Sequence, residues 1–569
     1  MLFSCSEEER KEFEYAGGKI TMALDNQPST YIPQQVGDFY SAAVLSQVTE
    51  GLVGIDGKTL KIVPRIAKQW TQSSDGKTYT FYLRDNILFH EHKAFKSEKD
   101  RKLSAADVIK SFEIGCTKDE KGDPLATYSM VCKSLVKGAD SYYEGDANNI
   151  AGIVGKGNKV TFHLEHSDHN FLYKLAQVNS HIISKKVADA GALADVVGTG
   201  PFVYGQEKSN DEYKSLILKR NQDYYLKDKD GNALPYLDEL EFVFQSRKMA
   251  QLEMFENRKI DLIKGLPTSQ ITKMMQGRLG DFNGKPPKLI LDDNPLLESN
   301  YYIFDMQDER FMDPKVRMAF NYAINKDVIG SDILRNQIND VGVYGITPPV
   351  LGTLKGYDFK GIKDSGYEYN PEKARQLLAE AGYPNGEGFG SVQLRYNIND
   401  IHSAVADEFS RQIRSVLNIN VNIDGSTFEQ LILDAELGNG DIFRLGWAAD
   451  YPSPESFLVN FYSKNIPDSA NEPSKVNKSR YKNPVFDEFY ERAANTKKQT
   501  DQLKYFAKAE KVLLGDPPFI PLWYSGDYAI IYSDVRNFHF NSLNYLDFTY
   551  VYKKKWTKEE FLKKHVSNK

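Results

Sequence analysis

The 569-residue chain contains little cysteine: its three cysteines are Cys5, Cys116 and Cys132. Three cysteines exclude a framework of disulfides and allow one internal bridge at most, for which Cys116 and Cys132 are the candidates. The sequence also lacks an apolar run of the roughly 18 residues that a membrane helix needs. We therefore expect a body that does not span a bilayer and does not depend on a disulfide network.

Neither sign of charge is in large excess: the chain has 72 Lys and Arg residues and 78 Asp and Glu residues, which gives a formal net charge of −6. A nucleic-acid-binding surface needs a clustered basic excess, so we expect no nucleic-acid partner. The phosphate-binding Gly-x-x-x-x-Gly-Lys loop, the Gly-x-Gly-x-x-Gly fingerprint and the Gly-x-Ser-x-Gly elbow are also missing. With 9 histidines and no nucleophile next to a base in sequence, we expect neither an enzyme nor a cofactor site.

Metal-binding patterns are incomplete. His90 and His92 are two residues apart beside a strand end, whereas zinc proteases use two histidines four apart on one helical face. The segment Asp228–Asn232 resembles a calcium loop, but Leu226 and Leu237 occupy positions that require carboxylates. We interpret both segments as polar turns, with metal binding the less favoured alternative for the histidine pair, and we predict no metal site.

Aromatic residues are abundant, with 34 Tyr, 32 Phe and 4 Trp. Each buried tyrosine hydroxyl needs a hydrogen-bond partner, so core filling alone does not explain so many tyrosines. An aromatic-lined interface between lobes is one economical explanation. The length, at roughly 150 residues per domain, suggests about four units, and we find no internal repeat of fixed period.

Strand and helix signals alternate along the chain. Apolar alternation predicts strands at Lys19–Leu24 and Thr78–Leu83, and a short apolar run predicts a buried strand at Phe519–Tyr524. The alternation predicts an α/β fold with covered sheets. Helices are predicted, from capping residues followed by apolar residues at helical spacing, after Ser104, Asp313 and Asn370.

The first residues resemble the end of a bacterial lipoprotein signal, because an apolar residue and two tolerant positions precede Cys5. We therefore expect Cys5 to carry lipid; the alternative is a free cysteine in a frayed tail. The charged stretch Ser6–Glu12 has no apolar period and predicts a solvated tether.

One short segment, Arg444–Pro452, groups a guanidinium, an indole and a carboxylate within nine residues. Arg444, Trp447 and Asp450 could together recognise a zwitterion. The alternative is a strand-to-turn corner with Trp447 in the core and Asp450 capping the next helix.

Arg-x-Gly-Trp-x-Ala-Asp-Tyr at 444–451 resembles the ligand-contacting segment of the oligopeptide-binding proteins, the extracytoplasmic solute-binding proteins of peptide/nickel-class ABC importers. The resemblance continues in family order over roughly residues 18 to 550. The matching blocks are Leu60–Trp70, Asp75–Arg84, Leu88–His90, Ser104–Phe112, Gly198–Phe202, Asp313–Ile324 and Ala509–Leu522.

The resemblance implies a two-lobed α/β fold of the periplasmic-binding-protein type II-like kind, with an extra inserted domain and a cleft that closes about a hinge. It assigns residues 1–17 to a signal remnant and tether, and 51–184 to an inserted subdomain of lobe I. Lobe I would comprise 18–50, 185–300 and 524–569, and lobe II would comprise 301–523.

The resemblance also implies site residues. Asp450 would pair with the ammonium of a peptide, while Trp447 and Arg444 would line side-chain pockets or meet the carboxylate, beside Tyr451. Further implied ligand contacts are a stretch beside the peptide backbone, Gly37, Asp38, Phe39 and Tyr40, and an aromatic wall, Trp523 and Tyr524. Gly37 stands where some members of the family have an acid, so charge recognition there differs.

The function implied is that of a monomeric lipoprotein, in the periplasm or on the cell surface, which captures oligopeptides and delivers them to the membrane permease of an ABC importer. An acidic anchor favours an amine-bearing ligand. The alternatives are the same fold with a nickel chelate, haem or an oligosaccharide, and, less favoured, a secreted hydrolase or structural surface protein.

Overall fold

The structure is a computed structural model that describes residues 11–209, 212–266, 268–334, 338–342, 344–469, 472–496 and 498–566. The chain divides into two compact units rather than about four. Unit 1 comprises Met1–Asp292 and Tyr528–Lys569, and unit 2 comprises Asp293–Asp527. The finer domain limits derived from the resemblance stay a prediction.

Unit 1 contains a sheet in which β1 (Lys19–Leu24) lies parallel to β10 (Glu239–Phe244) and β11 (Leu262–Lys264). Strands β9 (Lys214–Arg220) and β8 (Phe202–Ser209) continue this sheet in antiparallel fashion. Five of the six residues of β1 are buried, as expected of a strand in a parallel arrangement covered on both faces. The strands of this part of the chain are β1 (Lys19–Leu24), β2 (Val53–Ile55), β3 (Ile62–Pro64), β4 (Ala67–Gln72), β5 (Thr78–Leu83), β6 (Ile153–Lys156), β7 (Lys159–His163), β8 (Phe202–Ser209), β9 (Lys214–Arg220), β10 (Glu239–Phe244) and β11 (Leu262–Lys264). Its helices are α1 (Phe39–Val48), α2 (Glu98–Arg101), α3 (Ala105–Gly115), α4 (Ala139–Glu144), α5 (Phe171–Ala176), α6 (Lys185–Asp189), α7 (Lys248–Glu256), α8 (Thr268–Gly277) and α9 (Leu279–Asn283).

A second sheet of unit 1, with strand order β4-β5-β7-β6, is antiparallel throughout. In β5, half-buried and buried residues alternate, so the strand predicted there is confirmed. The buried residues of the associated core all fall between Leu52 and Ile182, within the range predicted for the inserted subdomain. Ser104 and Asp107 form a capping box at the start of α3, which confirms the predicted helix start.

The two described cysteines are free thiols in this core. Cys116 and Cys132 are fully buried, and a hydrogen bond with Cys116, followed by burial, raises the pKa of Cys132 well above its ordinary value. Cys5 lies outside the described residues.

Thiol labelling tests this burial. In reduced protein carrying Cys5→Ser, we expect no reaction of either cysteine with a thiol reagent in the native state and reaction of both after unfolding, because the reactive species is the exposed thiolate. Mass spectrometry of the labelled protein gives the count. Fast labelling in the native state would contradict the burial of the pair.

Unit 2 contains a sheet with the strand order β15 (Val421–Ser426), β14 (Val392–Asn397), β16 (Ile442–Ala448), β12 (Leu289–Phe304) and β17 (Phe519–Tyr532), and β13 (Ile338–Val341) is paired to β17. The helix starts predicted at Asp313 and Asn370 are confirmed, since each side chain accepts a hydrogen bond from the first turn of its helix. The buried strand predicted at Phe519–Tyr524 is confirmed and continues to Tyr532. The strands are β12 (Leu289–Phe304), β13 (Ile338–Val341), β14 (Val392–Asn397), β15 (Val421–Ser426), β16 (Ile442–Ala448) and β17 (Phe519–Tyr532). The helices are α10 (Pro314–Ala323), α11 (Lys326–Val328), α12 (Phe359–Lys363), α13 (Pro371–Glu380), α14 (Asp400–Leu417), α15 (Phe428–Leu437), α16 (Glu455–Leu458), α17 (Pro484–Asn495) and α18 (Gln499–Gly515).

The C-terminal part of unit 1 adds β18 (Val535–Arg536), β19 (Tyr552–Lys553) and α19 (Lys558–Val566). The segment before β1 packs beside it. Phe13 stacks on Tyr236 with ring centroids 4.3 Å apart, and the Lys11 carbonyl accepts a hydrogen bond from the Ala233 amide. Residues 11–17 therefore differ from the predicted solvated tether, because their aromatic side chains are part of unit 1. Among the described helices, none has both the length and the apolar character needed to cross a membrane.

Candidate functional site

Three parallel strands of unit 2 end at one edge. β14 is parallel to both β15 and β16. Open α/β sheets bind ligands outside the carboxyl ends of their parallel strands. Here the residues that follow those ends include His402 after β14, Phe428 after β15 and Asp450 after β16. We take this edge as the candidate site.

Asp450 lies in the turn after β16, and its side chain is exposed. The turn is anchored by a hydrogen bond from the Ala449 amide to the Leu297 carbonyl oxygen (2.8 Å). The next helix, α16, has Pro454 as its N-cap, so the alternative in which Asp450 caps that helix is wrong. Tyr451, by contrast, is buried and donates its hydroxyl to Glu455.

Arg444 and Trp447 lie on opposite faces of β16, because side chains alternate along a strand. The Arg444 partner across the ladder is Tyr302 of β12, whereas the partner of Trp447 is Ser299. The two side chains therefore do not act on one ligand group together. Arg444 and Trp447 are close in sequence, but the structure places their side chains on opposite faces of the strand.

The Arg444 guanidinium is largely buried. Its Nη2 donates to Asn300 Oδ1, and the Asn300 amide donates in turn to Ser525 Oγ (2.9 Å) and Glu298 Oε1 (3.2 Å). The Arg444 Nε has no hydrogen-bond partner within the described part of the chain. Gly446 keeps this contact open, since a Cβ there would lie 3.0 Å from Asn300 Oδ1. A buried N–H without a partner is costly, so this group is suited to an acceptor supplied by a ligand.

His402 and Trp523 share the face of Arg444. The rings of His402 and Trp523 have centroids 6.5 Å apart. Burial, and then the charge of Arg444, lowers the pKa of His402 to about 4, so the imidazole is neutral at pH 7. Trp523 is 6% exposed and belongs to the same hydrophobic core as Tyr302. Histidine was absent from the predicted site, since only the parallel order of the strands brings residue 402 beside residue 444.

Trp447 borders a cavity on the other face of the sheet. The cavity has a volume of about 160 Å³, and the Trp447 indole donates to Ser456 Oγ (3.3 Å). Its wall is mainly apolar, with Lys478 as the charged member, and Phe428 is 56% exposed. Trp447 is half-buried, so the alternative that places it in the core is not what the structure shows. The cavity is lined by Tyr301, Ile303, Phe428, Ile432, Leu445, Gly446, Trp447, Asn460, Phe461, Val476, Lys478 and Ser479.

Tyr524 takes the opposite face from Trp523 and is 1% exposed. Its hydroxyl donates to the Gly345 carbonyl oxygen (2.8 Å) and accepts from the Gly345 amide (3.0 Å). In unit 2 this side chain supports a loop, and a ligand wall formed by it stays a prediction.

In unit 1, the segment Gly37–Tyr40 forms the start of α1. Asp38 caps the helix by accepting from the Ser41 amide (2.9 Å), and it also accepts from the hydroxyls of Ser29 and Ser41 (2.6 Å each). Burial alone would raise the pKa of Asp38, but these hydrogen bonds outweigh it and lower the pKa. Gly37 is exposed, and Phe39 and Tyr40 are half-buried. The Asp38 carboxylate thus accepts hydrogen bonds from within unit 1, and ligand contacts by Gly37, Asp38, Phe39 and Tyr40 stay a prediction.

The family model for bacterial extracellular solute-binding proteins, family 5, matches residues 61–468, more than half of the chain. The chain belongs to this family. The predicted resemblance is thereby confirmed, and a solute-binding role fits the expectation that the protein is not an enzyme.

This family-5 protein is similar to curated relatives over most of its length. The dipeptide-binding protein of Escherichia coli K12 is 26% identical over 526 residues, which cover 90% of this chain and 89% of the relative. Heme-binding protein A of Haemophilus influenzae Rd is 27% identical over 520 residues, covering 88% and 86%.

Solved structures confirm the fold class. The ABC transporter-associated periplasmic binding protein DppA from Helicobacter pylori, solved in complex with the peptide STSA, has a TM-score of 0.70 and 24% sequence identity to this solute-binding protein. The match covers 95% of this chain and 99% of that one. The α/β periplasmic-binding-protein fold is therefore shared.

The segments interpreted as polar turns have internal partners in this solute-binding protein. Nε2 of the buried His90 lies 3.0 Å from the Gly200 carbonyl oxygen, and burial lowers the pKa of His90 to about 4. Asp228 accepts from the Asp230 and Asn232 amides (2.8 Å each), as a turn-forming aspartate does. Among the described residues, no group of three His, Cys, Asp or Glu is placed to hold a metal.

Proposed function

We propose that this family-5 protein is an extracytoplasmic receptor that binds oligopeptides and delivers them to the membrane permease of an ABC importer. The observation that supports it most is a pair of opposite charges in unit 2. Asp450 is exposed at the end of β16, and Arg444, six residues earlier, has a buried Nε–H without a partner.

The spacing suits a peptide. Six residues of strand and turn span at most about 20 Å, and the two ends of an extended peptide of a few residues are separated by a similar distance. We propose that Asp450 pairs with the α-ammonium and that Arg444 meets the α-carboxylate. The cavity beside Trp447 would take a side chain. In unit 1, the exposed Gly37 backbone and the rings of Phe39 and Tyr40 would contact the peptide chain. Main-chain hydrogen bonds there would not depend on the side chains of the peptide.

The lipid anchor is a further proposal. Cys5 would carry the lipid that holds a monomeric receptor at a membrane outside the cytosol. Mass spectrometry of full-length protein from a lipoprotein-processing host is expected to show the added acyl mass. An unmodified Cys5 in that host would overturn this part alone.

Haem is the second candidate ligand, favoured by the similarity to the Haemophilus heme-binding protein. Native mass spectrometry of the purified protein distinguishes the two, because a closed receptor often retains its ligand. A ladder of small peptide masses is expected. A single haem mass with its absorbance band would replace the peptide proposal.

The neutral His402 predicts a pH dependence. A peptide carboxylate at Arg444 should raise the pKa of His402 from about 4 by favouring the imidazolium. The complex then binds a proton more tightly than the free protein does, so peptide affinity should increase as the pH falls from 7 towards 5. Calorimetry in two buffers of different ionisation enthalpy should detect proton uptake.

Two controls sharpen this test. A C-terminally amidated peptide, which lacks the carboxylate, should show no such uptake, and His402→Asn should remove the uptake for the free acid. Binding of the free acid without any proton uptake would contradict a carboxylate beside Arg444.

A further inference from the structure

The cavity beside Trp447 is walled by regular elements of unit 2. Tyr301 of β12 and Leu445 of β16 are partners across the ladder, and both line it. Phe428 and Ile432 are four apart on α15, so they line it from one face of that helix. Apolar side chains on a helix and on two paired strands therefore fix the shape of the cavity.

The neutral polar side chains of the wall have partners within unit 2. The Asn460 amide donates to the Phe457 carbonyl oxygen (3.1 Å). The Ser479 hydroxyl donates to Asn477 Oδ1 (3.0 Å), and the Trp447 indole N–H is bonded to a serine hydroxyl (3.3 Å). These three donors therefore need no acceptor from a ligand.

Lys478 is the charged side chain of the wall, and it is paired. Its ammonium lies 3.5 Å from Glu436 Oε1 and donates to the Lys475 carbonyl oxygen. The Lys478 side chain is 16% exposed, and burial lowers its pKa more than Glu436 raises it. A carboxylate that entered the cavity would lose its water and meet a lysine that already has an anion, so the wall disfavours acidic side chains.

The size of the cavity suits one aromatic ring. Its volume is about 160 Å³, and an apolar protein cavity of about 150 Å³ binds benzene. Phe428 and Val476 line the cavity and are also 56% and 39% exposed, so it reaches the surface at these two side chains. A ring can therefore enter from solvent without unfolding the wall.

The position of the cavity limits which residue of a peptide could fill it. Trp447 stands three residues before Asp450, the proposed partner of the α-ammonium. Three residues span about 10 Å at most, and an extended peptide covers that distance in about three residues. The side chain that enters the cavity then belongs to one of the first three residues of the peptide.

We propose that this cavity selects a phenyl-sized aromatic side chain, carried by one of the first three residues of a bound peptide. The inference rests on the proposed peptide-binding function and adds a side-chain preference to it. The ring would pack against Trp447 and Phe428, since aromatic rings favour edge-on and offset contacts. A polar side chain would lose its hydration there without gaining a partner.

A scan of phenylalanine through tetra-alanine tests the preference by titration calorimetry. Phenylalanine at one of the first three positions should raise the affinity over tetra-alanine by about tenfold or more, because burial of a phenyl side chain contributes that much. Glutamate at the same position should give no gain. The absence of a gain at every position, a gain at the fourth position alone, or an equal gain with glutamate would overturn the proposal.

A filled cavity is the matched test on the protein side. Val476→Phe places a ring at the mouth and should bring the ratio of the phenylalanine and alanine peptide affinities close to one. Val485→Phe adds the same group at a residue of α17 that is 49% exposed and does not line the cavity, so it should leave the ratio unchanged. A ratio that Val476→Phe does not lower would overturn the proposal.

Benzyl alcohol tests the cavity without a peptide. Saturation-transfer NMR should detect its binding to the wild-type and Val485→Phe proteins and much weaker binding to Val476→Phe. Binding of tetra-alanine without a gain from phenylalanine would overturn the aromatic preference and leave peptide binding intact. Binding of benzyl alcohol that Val476→Phe weakens, with no binding of any peptide, would support the aromatic cavity and overturn the receptor function instead.

Discussion

Replacing Asp450 by asparagine is expected to weaken binding of a peptide with a free amino terminus by about a hundredfold or more. The reason is that a bound ammonium enclosed with the ligand loses its water and must find an anion. Asparagine keeps the shape and one acceptor oxygen but removes the charge, so most of the loss reports the unpaired ammonium. Titration calorimetry with wild-type and variant protein gives the ratio of the affinities.

An acetylated peptide isolates the contact. Acetylation removes the ammonium, so wild-type protein and Asp450→Asn should bind the acetylated peptide with nearly equal, weak affinity. Asp501→Asn is a matched control, because Asp501 pairs with Lys504 on α18, outside the candidate site. A fall of the same size for the acetylated peptide, or unchanged affinity for the free peptide, would count against Asp450 as the anchor.

Local structure was readable from the sequence wherever a short-range signal decided it. Asp313-Pro314 and Asn370-Pro371 combine a side-chain acceptor with a residue already suited to the first helical turn, and both start helices in the structure. Thr78–Leu83 alternates, so it forms a strand with one buried face. Such signals depend on residues that are neighbours in sequence, and tertiary packing does not override them at these three positions.

The candidate site was less readable, because it depends on faces and on strand order. Arg444 and Trp447 are three apart in a strand, which sends them to opposite faces and into different surroundings. His402 joins Arg444 only because β14 and β16 are parallel neighbours. The strand period could have separated the first two residues, but no local pattern in the sequence points to His402.

A polar cluster around Glu510, formed by residues far apart in sequence, could not be predicted from the sequence either. Glu510 had been assigned to a family block without a role, yet it is fully buried in α18. Its carboxylate accepts from the amides of Ile346 and Thr347 (2.9 Å each), from the Thr347 hydroxyl (2.6 Å) and from the Tyr357 hydroxyl. This cluster explains part of the high tyrosine content of the chain. The buried hydroxyl of Tyr357 donates to the Glu510 carboxylate, and that of Tyr524 donates to a carbonyl oxygen.

Glu510→Ala is expected to lower the free energy of unfolding of unit 2 by about 3–5 kcal/mol, because it leaves four buried donors without an acceptor. The donors belong to a loop that also contacts two strands. Tyr524 of β17 donates its hydroxyl to the Gly345 carbonyl oxygen of this loop, and Ser299 of β12 donates to the Ile346 carbonyl oxygen (2.6 Å). One carboxylate therefore joins a helix, a loop and, through that loop, two strands. Glu510→Gln should lose less, since its amide oxygen still accepts.

Urea unfolding followed by tryptophan fluorescence measures this effect, because Trp447 and Trp523 both lie in unit 2. Glu488→Ala is the matched control: Glu488 is on α17, its side chain is 54% exposed, and it pairs with Arg492 at the surface, where such pairs contribute about 1 kcal/mol or less. If Glu510→Ala shifted the unit 2 transition no more than Glu488→Ala does, the carboxylate would not be what holds the loop to α18. A large shift with Glu510→Ala and a small one with Glu488→Ala would place the loop's stability in the buried donors rather than in surface charge.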